Sequence, residues 1–233
     1  MNKNTLYLVS TPIGNYEDIT LRALNILKES DVVVCEEYKE ARRLLSKYEI
    51  QKELISLNEH NEDESSREVI QLIKDGKKIA LISDCGTPLF SDPGHTLVDM
   101  AIQANITISP VPGASSLLPA LTGSNFDIEK FYYYGWLSPK KEIRKKELLN
   151  LKKRNDLLVI METPYRLKQL LGDVSKVFGS KTQIVLAYKL TQPEEIFYRG
   201  EIGSILKTVT DQKLKGEFVL LVNNRKIGRN NKN

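Results

Sequence analysis

Short, wholly apolar runs alternate with longer stretches in which apolar residues return every three or four positions. Leu6-Tyr7-Leu8-Val9, Val32-Val33-Val34-Cys35, Leu54-Ile55-Ser56-Leu57, the run Ile79-Ala80-Leu81-Ile82 within 78–83, and 106–109 read as strands. Between them, 19–27 (Ile19, Ala23, Ile26, Leu27), 41–48, 62–74 (Val69, Ile70, Ile73) and 95–104 carry helical spacing, and Gly76 supplies a stop for the third. Strands that are apolar on both faces and separated by helices predict a parallel sheet with helices on both sides.

The pattern changes in the second half. Strands are expected over 131–136, 157–161, 183–187, 196–199 and 218–222, with helices over 140–153, 166–177 and 204–209. The runs at 183–187 and 196–199 leave no room for a helix between them, which predicts a hairpin and hence a mixed sheet. The fold class expected is α/β in two domains: an N-terminal one over 1–118 and a C-terminal one over 124–233, joined around Gly123-Ser124-Asn125. No repeat is visible, and the polar tail after Gly228 is expected to fray.

Composition narrows the class. Of 233 residues, 41% are hydrophobic and 27% charged, as in soluble globular proteins. No apolar run is long enough to span a bilayer, and Met1-Asn2-Lys3-Asn4 leads into the first strand without a signal-peptide core, so no membrane partner and a cytoplasmic location are expected. Cys35 and Cys85 stand apart, and the only histidines are His60 and His95; this spacing excludes a structural zinc site, and the cysteines read as small buried or half-buried thiols. The net charge of +4 permits an RNA partner without requiring one. The cations are unevenly spread: Lys140, Lys141, Arg144, Lys145 and Lys146, then Lys152-Lys153-Arg154, and at the end Arg225, Lys226, Arg229 and Lys232.

Ligands of open parallel sheets bind beyond the carboxyl ends of the strands. Here those ends carry Ser10-Thr11-Pro12-Ile13-Gly14-Asn15, then Glu36-Glu37, then Asn58-Glu59-His60-Asn61-Glu62, then an eleven-residue loop from Asp84 to Gly94, then Pro112-Gly113-Ala114-Ser115-Ser116. Each could be an ordinary turn or helix start. A loop as long as 84–94 in a small domain is more often functional, and His60 lies in a cluster of hydrogen-bonding groups. The Gly-x-Gly-x-x-Gly of dinucleotide binders, the phosphate-binding P-loop and the nucleophile elbow of hydrolases are absent from the sequence.

These stretches resemble the ribosomal RNA small-subunit methyltransferase I family of the tetrapyrrole methylase superfamily. The resemblance runs in order through Thr11-Pro12-Ile13-Gly14-Asn15, Asp18 to Ala23, His60-Asn61-Glu62, Ser83 to Pro88 with Ser91 to Gly94, Pro112-Gly113-Ala114, Glu162 to Leu167 and Lys215 to Leu220. It implies a two-domain, tetrapyrrole-methylase-like homodimer that holds S-adenosylmethionine in a cleft between domains, needs no metal and 2′-O-methylates a cytidine of small-subunit ribosomal RNA. Matched by motif, Pro12, Asp84, Gly86, Thr87, Ser115 and Ser116 are expected to line the donor site, with Met161, Gly216 and Glu217 from the second domain.

A ribose hydroxyl needs a proton acceptor as it is methylated. Glu36 or Glu62 is expected to be that base, with Asn61 orienting; His60 and Glu162 are further candidates. His60, Lys39, Arg166 and the basic helix 140–153 are expected to contact the substrate, the cations through phosphates. Tyr132-Tyr133-Tyr134 with Trp136 offers either a base-stacking platform or, alternatively, core or dimer interface.

The chain departs from the family on the acceptor side. Glu36-Glu37-Tyr38-Lys39 stands for Glu-Asp-Thr-Arg, losing the bidentate reach of arginine. Ala187-Tyr188-Lys189-Leu190-Thr191-Gln192 stands for Ala-Arg-Glu-Leu-Thr-Lys, and the chain stops soon after its last strand, where full-length members carry an extension. Two other readings are therefore kept: a same-fold methyltransferase acting on a tetrapyrrole or a protein side chain, and a donor-binding module without catalysis.

Overall fold

A computed structural model describes residues 4–90 and 92–225. Ser91 of the long loop, and the tail with Lys226, Arg229 and Lys232, lie outside the described residues. The chain divides into two units, Met1–Ser115 and Ser116–Asn233.

The first unit is built on five strands, β1 (Thr5–Val9), β2 (Val32–Cys35), β3 (Glu53–Ser56), β4 (Ile79–Ile82) and β5 (Thr107–Val111), in the order β3-β2-β4-β1-β5. All of its pairings are parallel. The helices are α1 (Leu21–Glu29), α2 (Tyr38–Lys47), α3 (Glu62–Lys74) and α4 (His95–Gln103). Alternation along each strand splits the core. Tyr7, Val9, Val33, Cys35, Ala80 and Ile82 pack with α1 and α2, while Leu6, Val32, Val34, Ile79 and Leu81 pack with α3 and α4. Helices therefore cover both faces, as the continuous apolar strands predict.

This topology has a functional consequence. From β1 the chain crosses over α1 to β2; from the adjacent β4 it crosses over α4, on the opposite face, to β5. Two neighbouring strands whose connections leave to opposite sides open a crevice at their carboxyl ends. The loops 10–15 and 83–94 stand at that point.

The second unit holds α5 (Leu117–Thr122), β6 (Phe131–Trp136), α6 (Lys141–Lys152), β7 (Leu157–Met161), α7 (Leu167–Phe178), β8 (Gln183–Tyr188), β9 (Ile196–Glu201), α8 (Ile202–Asp211) and β10 (Phe218–Asn223). Its sheet runs β6-β7-β10-β8-β9. Only β6 and β7 pair in parallel; β8 and β9 form the expected hairpin. Leucines and isoleucines of α6, α7 and α8 bury one face of this sheet. Short α5 lies against β10 and was not anticipated, because a six-residue helix with Pro119 inside it carries too little periodicity to register.

Tyr132 and Tyr134, two residues apart on β6, share one face of the strand and pack onto the core, their ring centroids 6.5 Å apart. A bulge follows between Tyr133 and Gly135.

Candidate active site

At the edge of the first sheet, backbone and hydroxyl groups stitch three loops together. The Thr11 amide donates to the Gly86 carbonyl at 2.8 Å, and the Gly86 amide donates to Thr11 Oγ1 at 3.1 Å. The Thr11 hydroxyl donates to the Ser83 carbonyl at 3.0 Å. Ser10 Oγ donates to Thr87 Oγ1 at 3.3 Å, and Thr87 Oγ1 donates to the Ala114 carbonyl at 3.4 Å. Gly86 has φ +90°, and a Cβ there would stand 3.2 Å from Ile13 Cγ2, so the reciprocal contact with Thr11 requires glycine. The result is a floor of small residues, flanked by half-buried Pro12 and Ser115. Ser116 follows at the N-cap of α5 without a side-chain cap bond.

Carboxylates gather beside this floor. Burial raises Glu36 above the usual carboxylate range, and the negative charges of Asp84, Asp92, Glu37 and Glu59 raise it further. Asp84 is raised by burial and, more weakly, by Glu37, Glu40 and Asp92, against the pull of the Glu37 amide, which donates to its Oδ1 at 3.3 Å. Asp92 is also raised by burial, and its Oδ2 is buried without a hydrogen-bond partner. Like charges partly withdrawn from water shift a carboxyl toward neutral pH, where a proton acceptor works best. Next to them Cys35 is buried, its thiol pushed up to about 12, so it stays protonated and is not a nucleophile.

Several expected residues are occupied elsewhere. Glu62 Oε1 accepts the amides of Gly94 (2.8 Å) and Thr96 (3.0 Å), so this carboxylate caps the start of α4. Asn61 accepts the Asn58 amide at 2.8 Å and donates to the Ser56 carbonyl at 3.1 Å, which makes it a loop staple. His60 is exposed and lies 3.5 Å from Glu59. Lys39 is exposed on the first turn of α2.

In the second unit, Met161, the segment Lys215-Gly216-Glu217 and Arg166 all stand at one edge of the sheet, where β7 and β8 end and β10 begins. Met161 Sδ accepts from the Tyr133 hydroxyl at 3.4 Å. Tyr188 and Lys189 lie over Gly216 so closely that a Cβ there would come within 2.8 Å of both, and Lys189 reaches Glu194 at 3.7 Å. Burial raises Glu217. Arg166 pairs with the fully buried Glu162 at 2.9 Å and donates to the Ser138 carbonyl at 3.2 Å. Arg144, which lies in the basic helix expected to contact the substrate, is 1% exposed; it pairs with Asp173 at 2.8 Å and donates to the carbonyls of Ser138 and Pro139. Tyr132 and Tyr134 pack against the core: Arg154 covers the Tyr132 ring at 3.7 Å, and burial pushes the Tyr134 hydroxyl up to about 12. Trp136 alone of that group is well exposed.

The sequence reading missed Ser10, Thr11 and Asp92 as contributors. All three lie inside motifs it had singled out, but the contacts of Ser10 and Thr11 span more than 70 residues and Asp92 acts on Glu36 from 56 residues away.

No helix among the described residues is long and apolar enough to cross a membrane, and among them no group of three or more His, Cys, Asp or Glu side chains is placed to hold a metal ion. Solved structures share the architecture at low identity. A cobalt precorrin-4 methyltransferase superposes with TM-score 0.71 at 17% identity over 94% of this chain and 95% of that one. A diphthine synthase superposes with TM-score 0.72 at 16% identity over 94% and 89%. A uroporphyrin-III C-methyltransferase from Thermus thermophilus, solved with S-adenosylhomocysteine, superposes with TM-score 0.63 at 17% identity over 94% and 96%.

A sheet with its switch-point crevice at β1 and β4, joined to a mixed-sheet unit, is the fold of the tetrapyrrole (corrin/porphyrin) methylases, and the chain belongs to that family, whose model matches residues 5–206. It is a methyltransferase. Its relatives within the family include proteins named ribosomal RNA small subunit methyltransferase I: that of Bacillus subtilis is 39% identical over 93% of this chain and 74% of the relative. That of Thermotoga maritima is 37% identical over 94% and 98%, and that of Rickettsia prowazekii 41% over 94% and 78%.

Proposed function

We propose that the protein transfers a methyl group from S-adenosylmethionine to a ribose 2′-hydroxyl of small-subunit ribosomal RNA, with Glu36 accepting the hydroxyl proton. The observation that carries the assignment of the base is the raised Glu36 carboxyl among four acidic neighbours, next to the small-residue floor. The names of the relatives support the acceptor.

The donor site fits a cationic sulfonium: it is rich in carboxylates, and its floor is glycine and hydroxyl-bearing residues that admit a bulky ligand. Pro12, Asp84, Gly86, Thr87, Ser115 and Ser116 hold the donor, and for the second unit the proposal carries over Met161, Gly216 and Glu217. The bound donor supplies a methyl carbon attached to positively charged sulfur. The Thr11–Gly86 and Ser10–Thr87 contacts fix the loops that orient it, a positional effect that in well-aligned systems lowers barriers by about 7–11 kcal/mol. Glu36 holds the acceptor hydroxyl by its proton and takes that proton as oxygen bonds to carbon and the carbon–sulfur bond breaks. Lys39 and exposed His60 remain assigned to the RNA side. We further propose a cytoplasmic homodimer, as the family resemblance implies.

The test uses tritiated donor with two acceptors, assembled small ribosomal subunits and precorrin-type compounds. Label in ribose of the RNA is expected. Label only in the small compounds would overturn the acceptor, and donor affinity unchanged in Asp84→Arg by calorimetry would overturn the donor site.

A further inference from the structure

Along the outer edge of the first sheet runs a groove of about 850 Å³, within the range of clefts that hold ligand-sized groups. Its walls come from α2 and from the segment leading into edge strand β3, and include Tyr38, Arg42, Glu49, Gln51, Lys52 and Leu54. The Tyr38 ring is 42% exposed, and Arg42 lies over it, its guanidinium carbon 5.6 Å from the centroid.

Three features identify what this groove takes. The first is charge. From 38 to 52 the chain has Lys39, Arg42, Arg43, Lys47 and Lys52 against Glu40 and Glu49, and Arg43 is the cation paired with Glu40, at 3.6 Å. The second is position. The Tyr38 hydroxyl accepts the Ser56 amide at 3.1 Å, and Ser56 Oγ donates to the Glu36 carbonyl at 2.9 Å, so the ring is two hydrogen bonds from the proposed base. The third is exclusion. The carboxylates around Glu36 repel phosphates from the sheet edge, so a polyanion that delivers a neutral ribose there must lay its backbone on an adjacent basic surface. Exposed lysines of α6 offer charge but no ring, and the one arginine of that helix is buried.

We propose that this groove is the track for single-stranded RNA next to the target nucleotide, with a base stacked on Tyr38 and phosphates held by Arg42 and the adjacent exposed Lys39. This rests on the RNA reading above and makes it specific to one surface. Stacking tolerates any base while the cations track the backbone.

The experiment is fluorescence anisotropy of a labelled single-stranded RNA dodecamer over a potassium chloride series. Arg42→Glu is expected to weaken binding about tenfold or more and to flatten the salt slope by about one unit, with donor affinity unchanged. Tyr38→Leu is expected to weaken it at least about fivefold, and Tyr38→Phe, which keeps the ring, to bind as the parent does. The groove is overturned if the parent binds RNA and both Arg42→Glu and Tyr38→Leu match it, or if the loss is confined to Lys145→Glu on α6; methylation of RNA by the parent then leaves the functional reading standing. A parent that neither binds nor methylates any RNA overturns the functional reading itself, and the groove with it.

Discussion

The two sheets end in edges that look alike in sequence and differ in physics. Both are dense in charged residues. At the edge of β6, β7 and β8 three pairs of opposite charge form: Arg166 with Glu162, Arg144 with Asp173, Lys189 with Glu194. At the edge of β1, β2 and β4 carboxylates crowd together, and Glu36, Asp84 and Asp92 are all raised above their ordinary range. Matched charges fasten loops; crowded like charges store reactivity. A charged residue at a strand end is therefore informative only once its partner is known.

The sharpest way to break this contrast is to remove the base. Glu36→Gln is expected to lower kcat by about 10²–10⁴, the usual contribution of a positioned proton acceptor, with donor affinity by calorimetry little changed. An undiminished kcat would move catalysis away from this carboxylate. Next comes the matched edge. Arg144→Ala leaves Asp173 without its buried partner and is expected to cost about 3–5 kcal/mol of stability in chemical denaturation; a loss below about 1 kcal/mol would mean the pair does not fasten the second unit.

Smaller effects separate Glu62 from Glu36. Glu62→Ala removes the acceptor of two amides and is expected to destabilise by about 1–2 kcal/mol while the pH profile of the folded enzyme keeps its shape. The smallest effect is electrostatic. Asp92→Asn deletes one of the charges that raise Glu36, so the acidic limb of the kcat/KM profile should move to lower pH. Stability gives the complementary readout. Because the folded chain raises Asp92, its contribution is present below the ordinary carboxylate range and is lost as pH rises through the raised value. Asp92→Asn should therefore melt with less decline toward neutral pH than the parent.

Much of the fold was legible because its signals are local. Residues 62–74, 131–136 and 157–161 fall where periodicity puts them, and the hairpin of β8 and β9 follows from the short spacer between two apolar runs. The switch point was partly legible, since turn residues after successive strands mark one edge. The roles within it were not. Nothing local tells Glu36, raised by neighbours 48 and 56 residues away at Asp84 and Asp92, from Glu62, which spends itself on the amides of Gly94 and Thr96. Arg144 is misread for a similar reason: its neighbours in sequence are solvated lysines, while its partner Asp173 arrives from α7.

The bond from Glu62 to the start of α4 has a consequence for how the molecule breathes. It ties the first turn of α3 to the exit of the 83–94 loop, across 32 residues of chain. The Gly94 and Thr96 amides can then exchange with solvent deuterium only when the first turn of α3 lets go. Loop and helix thus open as one unit, and a bound donor that quiets the loop should slow exchange in α3 as well.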